Sequence, residues 1–177
     1  MRLKSDINIY SINAEIFVRN PADNDSTAVR WLGQAGFQLF HKNYHLMVDP
    51  YLSDYLARKY EGQIFPHIRM MPPPVLASDV KDLDFLFCTH RHSDHMDPET
   101  IQPLLKNNPA CQLIAPRAEK EHLVENLGLD EKRVIFLKAD ETIKLNGDLR
   151  IKAIPSAHEE LKMDKKGNHH FLGYIFK

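Results

Sequence analysis

The stretch THRHSDHMD (Thr89–Asp97) packs three histidines and two aspartates into nine residues. It continues the apolar run DFLFCT (Asp84–Thr89), which predicts a buried strand. It ends on Asp97-Pro98, an N-cap aspartate followed by a proline at the first helical position, which predicts a helix reaching about Lys106. These polar residues therefore stand where a strand passes into a helix, the position at which α/β proteins place their sites.

Four side chains of this stretch have the chemistry of metal ligands. In an extended chain, residues two apart point the same way, so His90 and His92 can reach one ion together, and Asp94 keeps that spacing. His95 needs a turn to face the same centre, and a strand-to-helix junction supplies one. Imidazole nitrogens and carboxylate oxygens bind Zn²⁺, Mn²⁺ and Fe²⁺. Ordinary burial of four such groups would be costly, so the sequence predicts a metal site here.

The best further partner for this cluster is His158, which also follows a predicted strand. Taken alone, it would be interpreted as an ordinary loop histidine. His122 is expected on the surface of a helix, and His169-His170 in a loop or at a strand entry. The other histidines have no neighbours of ligand type: His41, His45 and His67.

A βαβαβ alternation is predicted in the middle of the chain, between groups of hairpin strands. The strands before it are predicted at Val29–Leu32, Phe37–Phe40 and His45–Val48. The alternation is predicted as a strand at Asp84–Thr89, the helix from Asp97, a strand at Gln112–Ala115, a helix at Pro116–Leu127 ended by Gly128, and a strand at Val134–Leu137. The segment Tyr51–Arg69 is ambiguous between helix and loop. This order predicts an α/β layered domain with a mixed sheet.

A second hairpin is predicted after the alternation, because Asn146-Gly147 is a strong turn signal. Its strands are Thr142–Leu145 and Asp148–Ile154, and a last strand covers Phe171–Phe176. Residues Asn20–Ser26 are predicted to be a polar loop.

Composition limits the classes of function. The chain has 177 residues, a formal net charge of −1 and a pI near 6.8, which argues against nucleic acid or an anionic membrane as partner. No apolar leader and no transmembrane run is found in the sequence, so a cytoplasmic protein is expected. The two cysteines, Cys88 and Cys111, are far apart and predict reduced thiols packed in strands. A homo-oligomer is compatible with this composition.

The chain resembles the metallo-β-lactamase superfamily, whose signature is His-Xaa-His-Xaa-Asp-His after a buried strand. More closely, from about Val29 to Lys177, it is similar to L-ascorbate-6-phosphate lactonases and their relatives. The resemblance implies an αββα sandwich with a mixed sheet. The segments that carry it are Trp31–Gly36, Val48–Pro50, Arg69-Met70 with the proline run, Asp84-Phe85 onward, Thr89–Asp97, Ile114–Pro116, Ile151–Ile154 and Ala157–Glu159.

The resemblance also implies a role for each matching residue. His90 and His92 would bind one Mn²⁺ or Zn²⁺ ion, with His158 as third ligand, and Asp94 and His95 would bind a second ion. Asp49 would lie beneath the site and orient a ligand imidazole.

The activity implied is the opening of a phosphorylated sugar-acid lactone, such as L-ascorbate-6-phosphate, by metal-bound hydroxide. Asp94 would be catalytic, holding the water and passing a proton to the leaving oxygen. Arg58, Arg69 and Arg91 are candidates to bind the phosphate of such a small-molecule substrate.

Two alternatives stay open at this point. Related members of the superfamily cleave phosphodiesters instead. The family also carries a bridging aspartate and a final histidine in a second half that has no counterpart in this sequence. Residues 1–177 are therefore expected to form a single metallo-β-lactamase-like hydrolase domain that is incomplete at its C-terminus. An inactive, metal-binding fragment is the other interpretation.

Overall fold

The computed structural model describes residues 27–177, so the polar loop predicted for Asn20–Ser26 and the N-terminal leader question lie outside the described residues. The regular elements, in chain order, are β1 (Thr27–Trp31), β2 (Phe37–His41), β3 (Tyr44–Val48), α1 (Tyr55–Lys59), β4 (Phe85–Phe87), α2 (Pro98–Asn107), β5 (Gln112–Pro116), β6 (Val134–Leu137), β7 (Thr142–Lys144), β8 (Arg150–Pro155) and β9 (Leu172–Phe176).

The larger sheet has six strands in the order β1-β2-β3-β4-β5-β6. Strands β1, β2 and β3 pair antiparallel as consecutive hairpins. Strands β3 to β6 pair parallel, as the predicted βαβαβ alternation requires. The predicted mixed sheet is confirmed. Its parallel half places the carboxyl ends of β3, β4 and β5 on one edge, where Asp49 and the histidine stretch follow.

The smaller sheet has three antiparallel strands in the order β7-β8-β9. The Asn146-Gly147 hairpin joins β7 to β8, with Leu145 N–H donating to the Leu149 carbonyl at 2.9 Å. Gly147 adopts φ +68°, a left-handed conformation that glycine tolerates without a Cβ penalty. The hairpin predicted from this dipeptide is confirmed.

Two apolar cores separate three layers. One core lies between the helical layer and the larger sheet, where Ile101 and Leu104 of α2 pack against strand residues such as Leu86. The other lies between the two sheets, where Phe87 meets Ile151. Within residues 27–177, the α/β class and the packing of sheet on sheet are those predicted, with helices covering the outer face of the larger sheet.

The start of α2 follows the predicted cap. Asp97 is the N-cap, its Oδ1 accepting from Glu99 N–H at 3.1 Å, and Pro98 is the first helical residue. The ambiguous segment between Tyr51 and Arg69 contains only the short helix α1 in the described chain.

The single α-helix predicted over Pro116–Leu127 is wrong in its hydrogen bonding. Pro116 ends β5, Arg117–Glu119 form a 3₁₀ turn, and His122–Asn126 form a π turn. Leu127 N–H donates to the His122 carbonyl at 3.0 Å, a five-residue step. The apolar pattern correctly marks Leu123 as buried, but such a pattern records the buried face and not the step of the backbone hydrogen bonds.

The two cysteines are buried free thiols, but the prediction that they lie in strands is wrong: Cys88 directly follows β4 and Cys111 directly precedes β5. No helix in the described part of the chain has the length and apolar character needed to cross a bilayer.

Candidate metal site

The histidine stretch forms a compact turn after β4. His95 N–H and Met96 N–H both donate to the His92 carbonyl, at 2.9 and 2.8 Å. This is the turn that the sequence required for His95 to return toward the preceding histidines. The turn leads directly into the Asp97 cap of α2, so both ends of the stretch are anchored by regular elements.

Four imidazole rings lie next to one another at this edge of the sheet. The ring centroids of His90 and His95 are 3.9 Å apart, and those of His90 and His92 are 4.6 Å apart. The ring of His158, contributed by the loop after β8, lies 5.2 Å from that of His92. Phe171 packs beside this group, 4.8 Å from His90. The predicted long-range partner is therefore brought to the stretch.

His90 carries the clearest sign of a missing partner. Its Nδ1 lies 2.9 Å from Thr89 Oγ1, and that hydroxyl donates its only hydrogen to Asp49 Oδ2 at 2.6 Å. The hydroxyl must therefore accept from His90 Nδ1–H, which leaves His90 Nε2 as a bare lone pair. That nitrogen is buried and has no hydrogen-bond partner within residues 27–177. A buried, oriented imidazole lone pair has the form of a metal ligand.

Burial also keeps His90 neutral. It is 7% exposed. Burial first, and then the neighbouring histidines, lower the pKa of His90 to about 3. A neutral imidazole is the form that binds metal ions.

Asp49 organises the floor of the cluster. Its backbone has φ +45°, and its carboxylate accepts from Thr89 N–H at 2.7 Å and from His95 Nδ1 at 2.9 Å. In a neutral His95 ring, Nε2 is then the acceptor, and it lies 3.7 Å from Asp94 Oδ2. Burial works to lower the pKa of His95, but the hydrogen bond to Asp49 and the charges of Asp49 and Asp94 outweigh it and raise this pKa. The same negative charges favour a cation at Nε2.

The side chains of the histidine cluster do not form a complete coordination shell among the described residues. Among the described residues, no group of three or more His, Cys, Asp or Glu side chains is placed so that it could hold a metal ion as it stands. The donor chemistry and the lone pair of His90 fit a divalent ion. The ligand roles of His90, His92, Asp94, His95 and His158 accordingly stay predictions.

The remaining histidines lie in other surroundings. His45 is buried against Gln38 and His67 stacks on Tyr60. His41 contacts Thr27 in β1. His170, expected in a loop or strand entry, has Nδ1 at 2.6 Å from the buried Glu119 carboxylate.

Sequence reasoning missed several neighbours of the cluster. Thr89 fixes His90 and Asp49 together, and Phe171 packs against three of the histidine rings. His122, expected on a helix surface, is half-buried and lines a cavity with His92 and Asp94. Thr89 was available in the quoted motif, whereas the other two depend on tertiary packing alone.

The three candidate arginines differ in their surroundings. Arg69 donates to the backbone carbonyls of Leu32, Tyr51 and Met71, which makes it a structural clamp. Arg58 is paired with Glu99. Arg91 is exposed and lies beside the cluster.

Comparison with known proteins gives a consistent family assignment. The family model described as "Beta-lactamase superfamily domain" matches residues 44–177. N-acyl-phosphatidylethanolamine-hydrolyzing phospholipase D 1 of Caenorhabditis elegans is 23% identical over 172 residues, which cover 94% of this chain and 46% of that protein. A metal-dependent hydrolase of Hyperthermus butylicus is 27% identical over 132 residues, which cover 73% of this chain and 50% of that protein.

A solved structure shares the fold. The isothiocyanate hydrolase from Delia radicum gut bacteria superposes with a TM-score of 0.63 at 22% identity, covering 86% of this chain and 58% of that one. The chain spans about half the length of the curated relatives it matches.

Proposed function

The chain belongs to the beta-lactamase superfamily domain family, and from that membership we propose that it is a metal-dependent hydrolase. The observation that carries the proposal is the buried Nε2 of His90, a lone pair without a hydrogen-bond partner in the described chain. The His92 and His95 rings contact the His90 ring, and His158 contacts His92. The name of the Hyperthermus butylicus relative supports the same class.

The proposed ligands divide into two groups. His90, His92 and His158 would hold one divalent ion, Zn²⁺ or Mn²⁺, and three protein ligands are sufficient for a catalytic ion with an open position. Asp94 and His95 would hold a second ion. A divalent ion held by these groups would lower the pKa of a bound water, to about 7 in favourable zinc sites, and so make hydroxide available near neutral pH.

The protein's own groups supply orientation and proton transfer. Thr89 fixes the His90 ring through Nδ1, and Asp49 fixes the His95 ring through Nδ1, so both rings present Nε2 to the site. Asp94 is partly exposed, with its carboxylate 3.7 Å from His95 Nε2. In this proposal Asp94 orients the attacking water and passes a proton to the leaving oxygen.

For the substrate, we propose a phosphorylated sugar-acid lactone such as L-ascorbate-6-phosphate, as the family resemblance implies. A second candidate is a phosphodiester, which the name of the Caenorhabditis elegans relative favours because that protein hydrolyses a phospholipid. The third possibility is an inactive metal-binding fragment, since the chain spans about half the length of these relatives.

Metal content and substrate preference test these possibilities. The purified chain is loaded with Zn²⁺ or Mn²⁺ and dialysed, and bound metal is measured for wild type, His92→Ala and the control His169→Ala. We expect His92→Ala to lose bound metal and His169→Ala to keep it. Equal amounts of bound metal in all three proteins would contradict the assignment of His92 as a metal ligand.

Hydrolysis is then compared on L-ascorbate-6-phosphate lactone and on bis(p-nitrophenyl) phosphate. Turnover of the lactone supports the first substrate, and turnover of the diester alone would favour the second. Bound metal without turnover of either compound would favour the inactive fragment.

A further inference from the structure

A polar cavity of about 540 Å³ opens beside the histidine cluster. His92 and Asp94 of the histidine stretch are among its lining residues, so the cavity is continuous with the cluster. Lys59 at the end of α1, Arg91 and the half-buried His122 of the π turn line its wall. None of these three residues is among the proposed metal ligands.

The wall of this cavity is cationic. Lys59 and Arg91 contribute two positive charges. Asp94 is the one acidic side chain that the described residues place in the lining, and the proposed function assigns it to an ion. Arg91 forms no ion pair within residues 27–177, in contrast to Arg58, which is paired with Glu99. A cation without a carboxylate partner beside a candidate site is available to a ligand.

Lys59 is held at the cavity by specific contacts, and Arg91 lies beside it in the lining. Lys59 Nζ lies 3.3 Å from Ser93 Oγ in the histidine stretch and 5.4 Å from the centroid of the Tyr60 ring. Arg91 lies between His90 and His92 in the sequence, is exposed, and lines the same cavity. The two positive charges therefore both lie in the cavity lining, one at the end of α1 and one in the histidine stretch.

His122 adds a neutral donor to the same wall. The Asn126 amide lies 3.3 Å from His122 Nδ1 and donates to it, which leaves the hydrogen of the neutral ring on Nε2. Burial lowers the pKa of His122; the charge of Glu119 opposes this and the charge of Arg91 adds to it, and the net lowering favours the neutral ring. A neutral imidazole N–H donates to an anion without requiring a further proton.

We propose that Lys59, Arg91 and His122 form a phosphate subsite, which binds a phosphate monoester carried by the substrate while the bond to be cleaved lies at the histidine cluster. This inference rests on the proposed function for the position of the reacting bond. A phosphate monoester presents three oxygens, which match the fork of an arginine, the ammonium of a lysine and an imidazole N–H. A planar carboxylate has only two oxygens and would leave part of this donor set unused.

Binding of a small phosphate ester tests the subsite directly. Phenyl phosphate and benzoate are titrated by calorimetry into the full 177-residue chain. We expect phenyl phosphate to bind more tightly than benzoate, and Arg91→Gln or Lys59→Gln to weaken its binding roughly tenfold, the lower end for a lost charge-assisted hydrogen bond. The controls Arg150→Gln and Lys144→Gln, on exposed residues of β8 and β7, should bind like wild type.

Two results would overturn the proposal: an Arg91→Gln chain that binds phenyl phosphate like wild type, or benzoate binding as tight as that of phenyl phosphate. His158→Ala separates the subsite from the metal, because His158 is a proposed ligand that does not line the cavity. We expect His158→Ala to lose bound metal and keep phenyl phosphate affinity. Loss of that affinity in His158→Ala would mean that the metal, and not the subsite, binds the phosphate.

Failure of the subsite is distinguishable from failure of the hydrolase proposal. Retained metal in His158→Ala counts against the proposed ligand set and leaves the Arg91→Gln result free to support the subsite. Conversely, unchanged phosphate affinity in Arg91→Gln removes the subsite whatever the metal content shows.

Discussion

His95 Nδ1 and Asp49 Oδ2 lie 2.9 Å apart, although Asp49 directly follows β3 and His95 lies in the turn between β4 and α2. The same carboxylate accepts two hydrogen bonds from Thr89. Asp49 thus couples the turn after β3 to the histidine stretch after β4. A substitution at Asp49 can therefore change the orientation of the His95 ring while the fold is kept.

We expect Asp49→Asn to keep the fold and to lower metal affinity about tenfold to a hundredfold, the usual cost of losing a partner that orients a ligand. Asparagine tolerates the φ of +45° found at this position, so the backbone is not strained. Its side chain has one acceptor oxygen and an NH2 donor, so it cannot accept at both positions as the carboxylate does. Metal titration and thermal unfolding measure the two effects, and unchanged metal affinity would contradict the prediction.

Thr89 offers a sharper test of the His90 tautomer. In Thr89→Val the hydroxyl that bridges His90 Nδ1 and Asp49 is lost, while the volume is nearly kept. We expect stability to fall by about 1 kcal/mol and metal affinity to fall with it. Thr89→Ser keeps the hydroxyl and serves as the control. Equal metal binding by the valine and serine variants would show that the bridge does not control His90.

A buried carboxylate outside the cluster, that of Glu119, predicts a stability effect. Glu119 is 2% exposed, and its carboxylate is 2.6 Å from His170 Nδ1. His170→Ala removes that partner and leaves a buried carboxylate, so we expect a loss of about 2 kcal/mol in the free energy of unfolding. His169→Ala changes the adjacent histidine and should cost less than half as much. Chemical denaturation of both variants checks the difference.

The two glycines at the ends of turns should respond differently to alanine. Gly128 and Gly147 have nearly equal φ, +67° and +68°, so both substitutions carry the same backbone strain of about 1 kcal/mol. A Cβ at Gly147 would also collide with the Tyr44 hydroxyl, whereas one at Gly128 meets nothing within 4 Å. We therefore expect Gly147→Ala to be the more destabilising by at least about 1 kcal/mol. Equal losses in thermal unfolding would argue against this close contact.

Asp164 predicts how stability depends on pH. Hydrogen bonds from the Asn168 side chain first, and then from the Asn168 and Lys166 backbone, hold the pKa of Asp164 below its ordinary value. The charged form therefore stabilises the fold, fully above the ordinary aspartate pKa and less as pH falls through the lowered one. The stability difference between wild type and Asp164→Asn should be constant down to about pH 5 and shrink below about pH 4. A difference independent of pH over that range would contradict the assignment, and Asp148→Asn is the control.

The elements that could be predicted from sequence are those whose signals are local. Asp97-Pro98 marks the start of α2, and Asn146-Gly147 marks the hairpin, because cap and turn chemistry act within a few residues. The stretch from Arg117 to Asn126 could not be predicted in detail. Its backbone hydrogen bonds change from a 3₁₀ to a π pattern, whereas the apolar pattern of the sequence indicates only which face is buried.

The site divides in the same way. The proximity of His90, His92 and His95 follows from the motif and the turn. The approach of Glu119 to His170, 51 residues apart, has no local signal. Arg69 donates hydrogen bonds to three backbone carbonyls. The sequence could not distinguish this structural role from substrate binding, because both need a cation at that position.

Strand β9 is tied to the end of β4 by two contacts: Leu172 N–H donates to the Thr89 carbonyl at 3.0 Å, and the Tyr174 hydroxyl donates to the Cys88 carbonyl at 2.8 Å. The second contact joins residues 86 apart in the chain. Closing so long a segment carries a large entropic cost before its contacts repay it, and such contacts form slowly. Because Phe171, the residue directly before β9, packs against three of the histidine rings, we expect docking of β9 to complete the arrangement of the histidine cluster.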